Sequence, residues 1–499
     1  MAKNSINKIL SKSKLMKGVQ CQKSLWLSIH KPELEPKVDT ATQMQFDEGN
    51  EVGELAREHE GKGVLIDNNY WDYDGAHAST QKAIKSGEKR IFEASFKFED
   101  FFARADILKK IKNDWHLIEV KKSTQVKDYH LQDAAIQTHI IESSGTKLKT
   151  ISIRHINNQC VYPDLTDLFS TVDITEDVRT IQKRITKEVK ELRKVVASAK
   201  EPKMALGPHC SAPFDCSFKA HCWQSIPEKS VFDLPSVNAK KKWELFDDHQ
   251  VKITDLDPLE FKGVARRAIE VTKSKKLFVD SSAIADELAA WKWPLYFFDF
   301  ETIGPAVPRY KDSKPYSQIP FQFSCHVWKS AKDKNLSHFE YLHQEQSDPR
   351  LGITKTMIEG LGIKGSIVAY NKAFEIGVIK KLAESDSKNR KALLALIERF
   401  VDPLPIFRNS VYHPDFLGSF SIKAVAPALI GSKLSYEHLD VGDGSTAQAW
   451  AEQILKGRLK GKEAEKVISS LLEYCQQDTM AMVELVKWLM NQASQSNSK

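Results

Sequence analysis

Hydrophobic and polar positions change rhythm several times along the chain. Over residues 40–62, TATQMQFDEGNEVGELAREHEGK sets Phe46, Val52 and Leu55 among polar residues as a helix does, and the Gly61–Gly63 region ends it. Short segments rich in aromatic and β-branched residues follow, GVLID, RIFEASFKF, FFARADILKKI and WHLIEVKKS, each read as a strand. HLQDAAIQTHIIESSG returns to a helix and KTISIRHI to a strand. DVRTIQKRITKEVKELRKVVASAKE repeats Ile181, Ile185, Val189, Leu192 and Val195 at helical spacing and stops before Pro202. Residues 226–290 hold short helical pieces and several lysines, a connector with a solvated face. A new strand–helix alternation opens at PLYFFDFET, continues through FQFSCHVW, SHFEYLH and GSIVAYN, and then turns mostly helical.

These rhythms indicate an α/β fold, and a chain of 499 residues exceeds one ordinary core. The expected organisation is a first domain over 1–225, a helical connector over 226–290 and a second domain over 291–492. A composition 41% hydrophobic and 28% charged is that of a globular protein. No eighteen apolar residues run together, which excludes a membrane-spanning helix and a membrane partner of that kind. The N-terminus, MAKNSINKILSKSKLMKGVQ, is basic without the apolar centre of a signal peptide, so a cytoplasmic location is expected. The net charge of +7 suits a polyanionic partner without demanding one.

Chemistry enters at the strands. FFARADILKK followed by WHLIEVKKS sets Asp106 mid-strand and Glu119 and Lys121 on one face of the next strand. Carboxylates that hold a hard divalent cation, with a lysine beside them, suit phosphodiester hydrolysis. This constellation resembles the PD-(D/E)XK nuclease core of the RecB-like branch. The resemblance implies Asp106 and Glu119 as ligands for Mg²⁺ or Mn²⁺, Lys121 as the catalytic lysine, and a glutamine on the following helix. Gln137 is favoured there over Gln132, although neither is followed by the tyrosine usual four residues on. Glu54, on the upstream helix, is a further candidate for that metal.

The cysteines are unevenly placed. Cys210, Cys216 and Cys222 cluster in HCSAPFDCSFKAHCW, and Cys21 lies far upstream. One cysteine before a nuclease-like core and three after it resembles the iron–sulfur RecB-like nucleases, which include the CRISPR-associated adaptation nuclease and AddB. The resemblance implies a 4Fe-4S cluster on these four thiolates, with zinc as the second choice; wider spacing than in structural zinc sites favours that order. Cys160, Cys325 and Cys475 stand without companions and read as core thiols.

In PLYFFDFETIG, Asp299 and Glu301 fall on one side of a strand while Phe298, Phe300 and Thr302 fall on the other. Buried acids need compensation, and divalent ions supply it. SIVAYNKAFEIG adds Asn371 and Glu375; LLEYCQQDTMAMVELV adds Tyr474 and Asp478, four apart on one helix face. Together these resemble the three motifs of DEDD exonucleases of the RNase H-like superfamily, in the subgroup with tyrosine in the third motif. The resemblance implies Asp299, Glu301, Glu375 and Asp478 as ligands for Mg²⁺ or Mn²⁺ and Tyr474 as a catalytic phenol. Glu375 stands where aspartate is usual, which makes Asp402 the reserve ligand. GSFSIKAVAPALIG resembles the helix start that lies between the last two motifs.

The order of these modules resembles a bacterial family that joins a cysteine-bearing RecB-like module to a DEDD exonuclease. The expected activity is a two-site nuclease acting on nucleic acid, with DNA favoured over RNA. Two alternatives stand beside it: an RNA-degrading exonuclease whose first module only binds, and a non-catalytic nucleic-acid-binding scaffold.

Overall fold

A computed structural model describes residues 9–495. The chain is mixed α/β and forms two compact units. The first comprises residues 1–225 with 305–316, and the second comprises 226–304 with 317–499.

The first unit is built on a seven-stranded sheet: β1 (Leu10–Ser11), β2 (Val64–Leu65), β3 (Arg90–Phe98), β4 (Phe101–Ile111), β5 (Asp114–Lys121), β6 (Leu148–Ile156) and β7 (Phe169–Asp173). Strands β2 to β7 lie in sequence order, and the short β1 pairs with β4. β3–β4 and β4–β5 are antiparallel, whereas β5–β6 is parallel and spanned by the helix Asp128–Ser143. Apolar residues of β3, β4 and β5 meet that helix and the long helix Thr175–Ala197 in one core that includes Phe96, Leu117, Ile136, Ile185 and Leu192. The amphipathic periodicity of the Thr175–Ala197 segment explains its docking, because its buried residues recur at one-turn spacing.

The second unit carries a two-stranded ribbon of β8 (Phe278–Val279) with β14 (Val411–Tyr412). It also carries a five-stranded sheet of β9 (Leu295–Ile303), β10 (Ile319–Trp328), β11 (Ser337–Leu342), β12 (Ser366–Val368) and β13 (Phe400–Val401). Its order is β11-β10-β9-β12-β13, so β9 is the central strand. Phe298 and Phe300 pack into a core with Phe323, Met357 and Ile379. On the opposite face Leu295 and Phe297 pack with Met482, Val483 and Val486 of the helix Gly461–Ser494. Residues 226–290 group with this second unit: Ala268, Val271 and Ile284 share a core with Phe407, Tyr412 and Leu485. The lysine-rich pattern did not announce that core, because its apolar residues are spread over several short elements. Among the described residues, no helix is long and apolar enough to cross a membrane.

Candidate functional site

Alternation along β9 turns Asp299 and Glu301 to the face covered by the helix Gly461–Ser494. These acids therefore sit on the central strand of the sheet, beneath a helix. The same helix presents Tyr474 and Asp478, both buried. Glu375 lies in the first turn of the helix Ala373–Ser385 and is 2% exposed. Burial, followed by the charges of Asp478, Glu301 and Glu375, pushes the Asp299 carboxyl well above the ordinary range. Burial and then Asp478 do the same to Glu301. Glu375 is pushed up to about 8, first by burial and then by Asp402. Asp478 rises only to about 6, because the Tyr436 hydroxyl and the Lys423 ammonium favour its charged form against burial. Asp478, Glu301 and Glu375 thus all bear on the Asp299 carboxyl, which gathers the four expected acids around β9.

Two further residues, Tyr436 and Lys423, complete this site. The Tyr436 hydroxyl donates to Asp478 Oδ1 at 2.6 Å. Lys423 Nζ donates to the Tyr474 hydroxyl at 3.0 Å and to the Gly442 carbonyl at 2.8 Å, and stands 4.9 and 4.8 Å from the Tyr436 and Tyr474 ring centres. GSFSIKAVAPALIG marked the region of Lys423, but no pattern marked Tyr436. Asp402 accepts from the backbone N–H groups of Asn371, Lys372 and Leu404, so the reserve ligand is a backbone cap. Cys475, a core thiol, lies with one carboxylate oxygen each of Asp299 and Glu301, all within 4.8 Å of one another. Glu375 Oε2 is buried and has no hydrogen-bond partner among the described residues. Buried acids of one sign with an orphaned oxygen fit hard divalent cations such as Mg²⁺ or Mn²⁺.

In the first unit, adjacent strands bring Asp106, Glu119 and Lys121 into one cluster. Asp106 Oδ2 accepts from Val120 N at 2.6 Å. Lys121 Nζ lies 2.8 Å from Glu119 Oε1 and 2.6 Å from Asp133 Oδ2. A second cation, Lys12 Nζ, lies 2.5 Å from the same Glu119 oxygen and 3.2 Å from the same Asp133 oxygen. Burial works against the Lys121 charge, but Asp133 and Glu119 outweigh it and hold its pKa well above normal. Burial would raise Asp133 too, but Lys12 and Lys121 hold it below the ordinary range. Asp106 is pushed up to about 8 by burial and then by Glu119. Glu119 Oε2 is buried without a hydrogen-bond partner among the described residues. Asp106, Glu119 and Asp133, with that orphaned oxygen, are the donors a hard divalent cation would use here.

The sequence reading missed Lys12, Asp133 and Glu93. Lys12 precedes every recognised strand, and Asp133 follows a helix pattern that fits a solvated acid. Glu93 sits opposite Asp106 where the β3–β4 ladder skips one pair without shifting register, with φ of 54°, and pairs with Arg57 at 3.0 Å. Gln137, the favoured glutamine, is fully buried and donates to the Arg104 carbonyl at 2.7 Å, which ties it to the β4 backbone. Gln132 instead lines a cavity with Lys12, Lys121 and Asp133. The i to i+5 offset between the two glutamines puts them on different faces of the helix, and only tertiary contacts tell which face looks outward. Glu54 is exposed.

Cys21, Cys210, Cys216 and Cys222 line one small cavity with Lys23, Phe218 and Lys219. None is in a disulfide. Cys216 N donates to the Cys210 carbonyl at 2.9 Å, which folds the intervening loop on itself. Four thiols lining one cavity, with two lysines beside them, are the donor set that a thiophilic centre would use.

A family model described as a domain of unknown function, DUF2779, matches residues 296–421, the stretch from β9 to the residue before the helix Ile422–Ile430 that carries Lys423. The chain is similar to the uncharacterized protein UU173 of Ureaplasma parvum, 26% identical over 240 residues, 43% of this chain and 34% of that protein. It is also similar to the uncharacterized protein MG366 of Mycoplasma genitalium, 26% identical over 237 residues, 44% of this chain and 36% of that protein. The chain thus spans about a third of the length of the curated relatives it matches. The crystal structure of SSO0001 aligns at a TM-score of 0.22 and 15% identity, over 44% of this chain and 88% of that one.

Proposed function

We propose that this chain is a cytoplasmic metal-dependent nuclease. Its second unit is an RNase H-like DEDD exonuclease that trims nucleic acid from the 3′ end. Its first is a PD-(D/E)XK nuclease module stapled by an iron–sulfur cluster. The observation that carries this reading is the gathering of Asp299, Glu301, Glu375 and Asp478 around β9. Acids of one sign are costly to bury together unless a cation joins them. Divalent ions bound there would activate water and stabilise the leaving oxygen. Asp299, Glu301, Glu375 and Asp478 would hold those ions. Tyr436 orients Asp478, and Lys423 orients the Tyr474 hydroxyl toward the group. In the first unit Asp106, Glu119 and Asp133 would hold the ion, and Lys121 supplies positive charge beside the phosphate. DNA is the favoured substrate over RNA, in repair or defence.

A second reading has its own observation. Lys12 and Lys121 together already neutralise Glu119 and Asp133. On that ground the first unit would bind nucleic acid without cutting it, leaving the second unit as the nuclease.

The test is Mn²⁺-dependent degradation of 5′-labelled single-stranded DNA and RNA, with Asp299→Asn and Glu119→Ala beside wild type. A ladder of 3′-shortened products that disappears in Asp299→Asn supports the exonuclease. Endonucleolytic products lost only in Glu119→Ala support an active first unit. Trimming that survives Asp299→Asn overturns the reading of the second unit.

A further inference from the structure

We infer that Tyr316 is a positioning residue for the first unit's metal site, holding the end of β5 that carries Glu119 and Lys121. The inference rests on the nuclease reading of that unit and adds to it a residue from far along the chain. Residues 305–316 join β9 to β10 in sequence, yet they group with the first unit. A hairpin loop usually needs about two to five residues, and a much longer one calls for a task of its own.

The sheet shows where support is needed. β4 and β5 pair from Ile111 and Asp114 as far as Ile107 and Ile118, where the register ends. At the next position Val120 N–H donates to the Asp106 carboxylate, at 2.6 Å. Glu119, Val120 and Lys121 keep their ladder partners on the other side, Ile153, Arg154 and His155 of β6. A strand end that has parted from one neighbour opens more readily than one held on both sides.

Residues 305–316 brace that end from behind. Alternation turns Val120 to the face opposite Glu119 and Lys121. There it packs in a cluster that includes Val52, Ile156, Ala306, Val307 and Tyr316. The Tyr316 hydroxyl donates to the Lys122 carbonyl. Burial and then the charge of Glu48 push that phenol up, so it stays protonated as a donor. Ala306 N donates to Glu48 Oε1 at 3.3 Å, and Glu48 Oε2 lies 3.2 Å from Lys122 Nζ. Backbone and side chain of Lys122, the residue after Lys121, are both tied down.

The loop itself is firmly built. Tyr316 N donates to the Pro305 carbonyl at 2.9 Å and closes it. Tyr162 N donates to the Ser313 carbonyl and Asp312 N to the Tyr162 carbonyl, each at 3.0 Å. Tyr316 has φ of 61°, a left-handed conformation that is costly for a bulky side chain. Such a conformation persists where the surrounding contacts over-determine it.

The test uses the full chain with Mn²⁺ as the probe and Tyr316→Phe, which keeps the ring in its cluster. Binding is followed by electron paramagnetic resonance in an Asp299→Asn background, to read the first unit, and in a Glu119→Ala background, to read the second. Tyr316→Phe should weaken first-unit binding about fivefold, the scale of one lost hydrogen bond, and leave second-unit binding unchanged. Amide hydrogen exchange in metal-free protein should quicken at residues 120–123 and not in β3. Wild-type first-unit affinity in Tyr316→Phe, whatever its melting temperature, overturns the positioning role and leaves the nuclease reading standing. No Mn²⁺ binding in the Asp299→Asn chain overturns both.

Discussion

The Tyr436 hydroxyl donates to Asp478 Oδ1 at 2.6 Å, and both residues are buried. That bond opposes the rise that burial imposes on the carboxyl and keeps Asp478 the least shifted acid of its group. Tyr436→Phe should therefore raise the Asp478 pKa above its present value of about 6. At neutral pH the variant should bind Mn²⁺ more weakly, and 3′ trimming should fall about tenfold, since the lost bond contributes about 1–2 kcal/mol. A metal titration followed by calorimetry, run beside the trimming assay, checks both effects. Full activity with wild-type metal affinity would place Tyr436 in the packing alone.

Stability of the metal-free chain should fall as pH rises. Asp299, Glu301, Glu375 and Asp106 all carry folded pKa values above their ordinary ones. Such groups favour folding below the ordinary carboxylate pKa, near 4, and lose that contribution as pH rises toward the folded value. For Glu375 and Asp106 that value is about 8. Melting temperature in EDTA should drop between about pH 5 and pH 8, and Mn²⁺ should restore it at the upper end. A flat EDTA profile across that window would contradict the repulsion argument.

Asp299→Asn should behave oppositely to a structural acid. Removing one of four like charges relieves repulsion, so metal-free protein at pH 8 should melt about 2–4 °C higher than wild type. The same variant should lose the stabilisation by Mn²⁺. Strong destabilisation in EDTA would mean that Asp299 is held by partners rather than awaiting a cation.

Asp133→Asn should have the reverse effect in the first unit. Lys12 and Lys121 both reach its Oδ2, and with only Glu119 left between them they would repel. Breaking such a buried network costs about 3 kcal/mol, seen as an earlier transition in urea. The double variant Asp133→Asn with Lys12→Met should recover part of that loss, because one unpaired charge is then gone.

The cysteine cluster is tested by its metal. Anaerobically purified protein should be brown and contain iron and sulfide, and Cys216→Ser should lose both and destabilise the first unit. Stoichiometric zinc without iron would assign the four thiols to the zinc alternative.

What the sequence determined by itself follows from short-range rules. The alternation in PLYFFDFETIG sorts Phe298 and Phe300 from Asp299 and Glu301 with no tertiary information, because a strand has a period of two. The four-residue step from Tyr474 to Asp478 likewise sets them on one helix face. The ExK pair on β5 is legible for the same reason. Only the tertiary structure decided what those faces meet. Lys12 joins Glu119 from a helix over a hundred residues away, Tyr436 reaches Asp478 from a loop without periodicity, and Gln137 turns to the β4 backbone while Gln132 faces the cavity. Asp402 carries a carboxylate as suited to metal as Glu375, yet three backbone N–H groups claim it. Residue type and spacing specify what chemistry is possible on a face; long-range packing specifies which partner satisfies it, since a charge or amide is paired by whatever group the fold brings within hydrogen-bond reach.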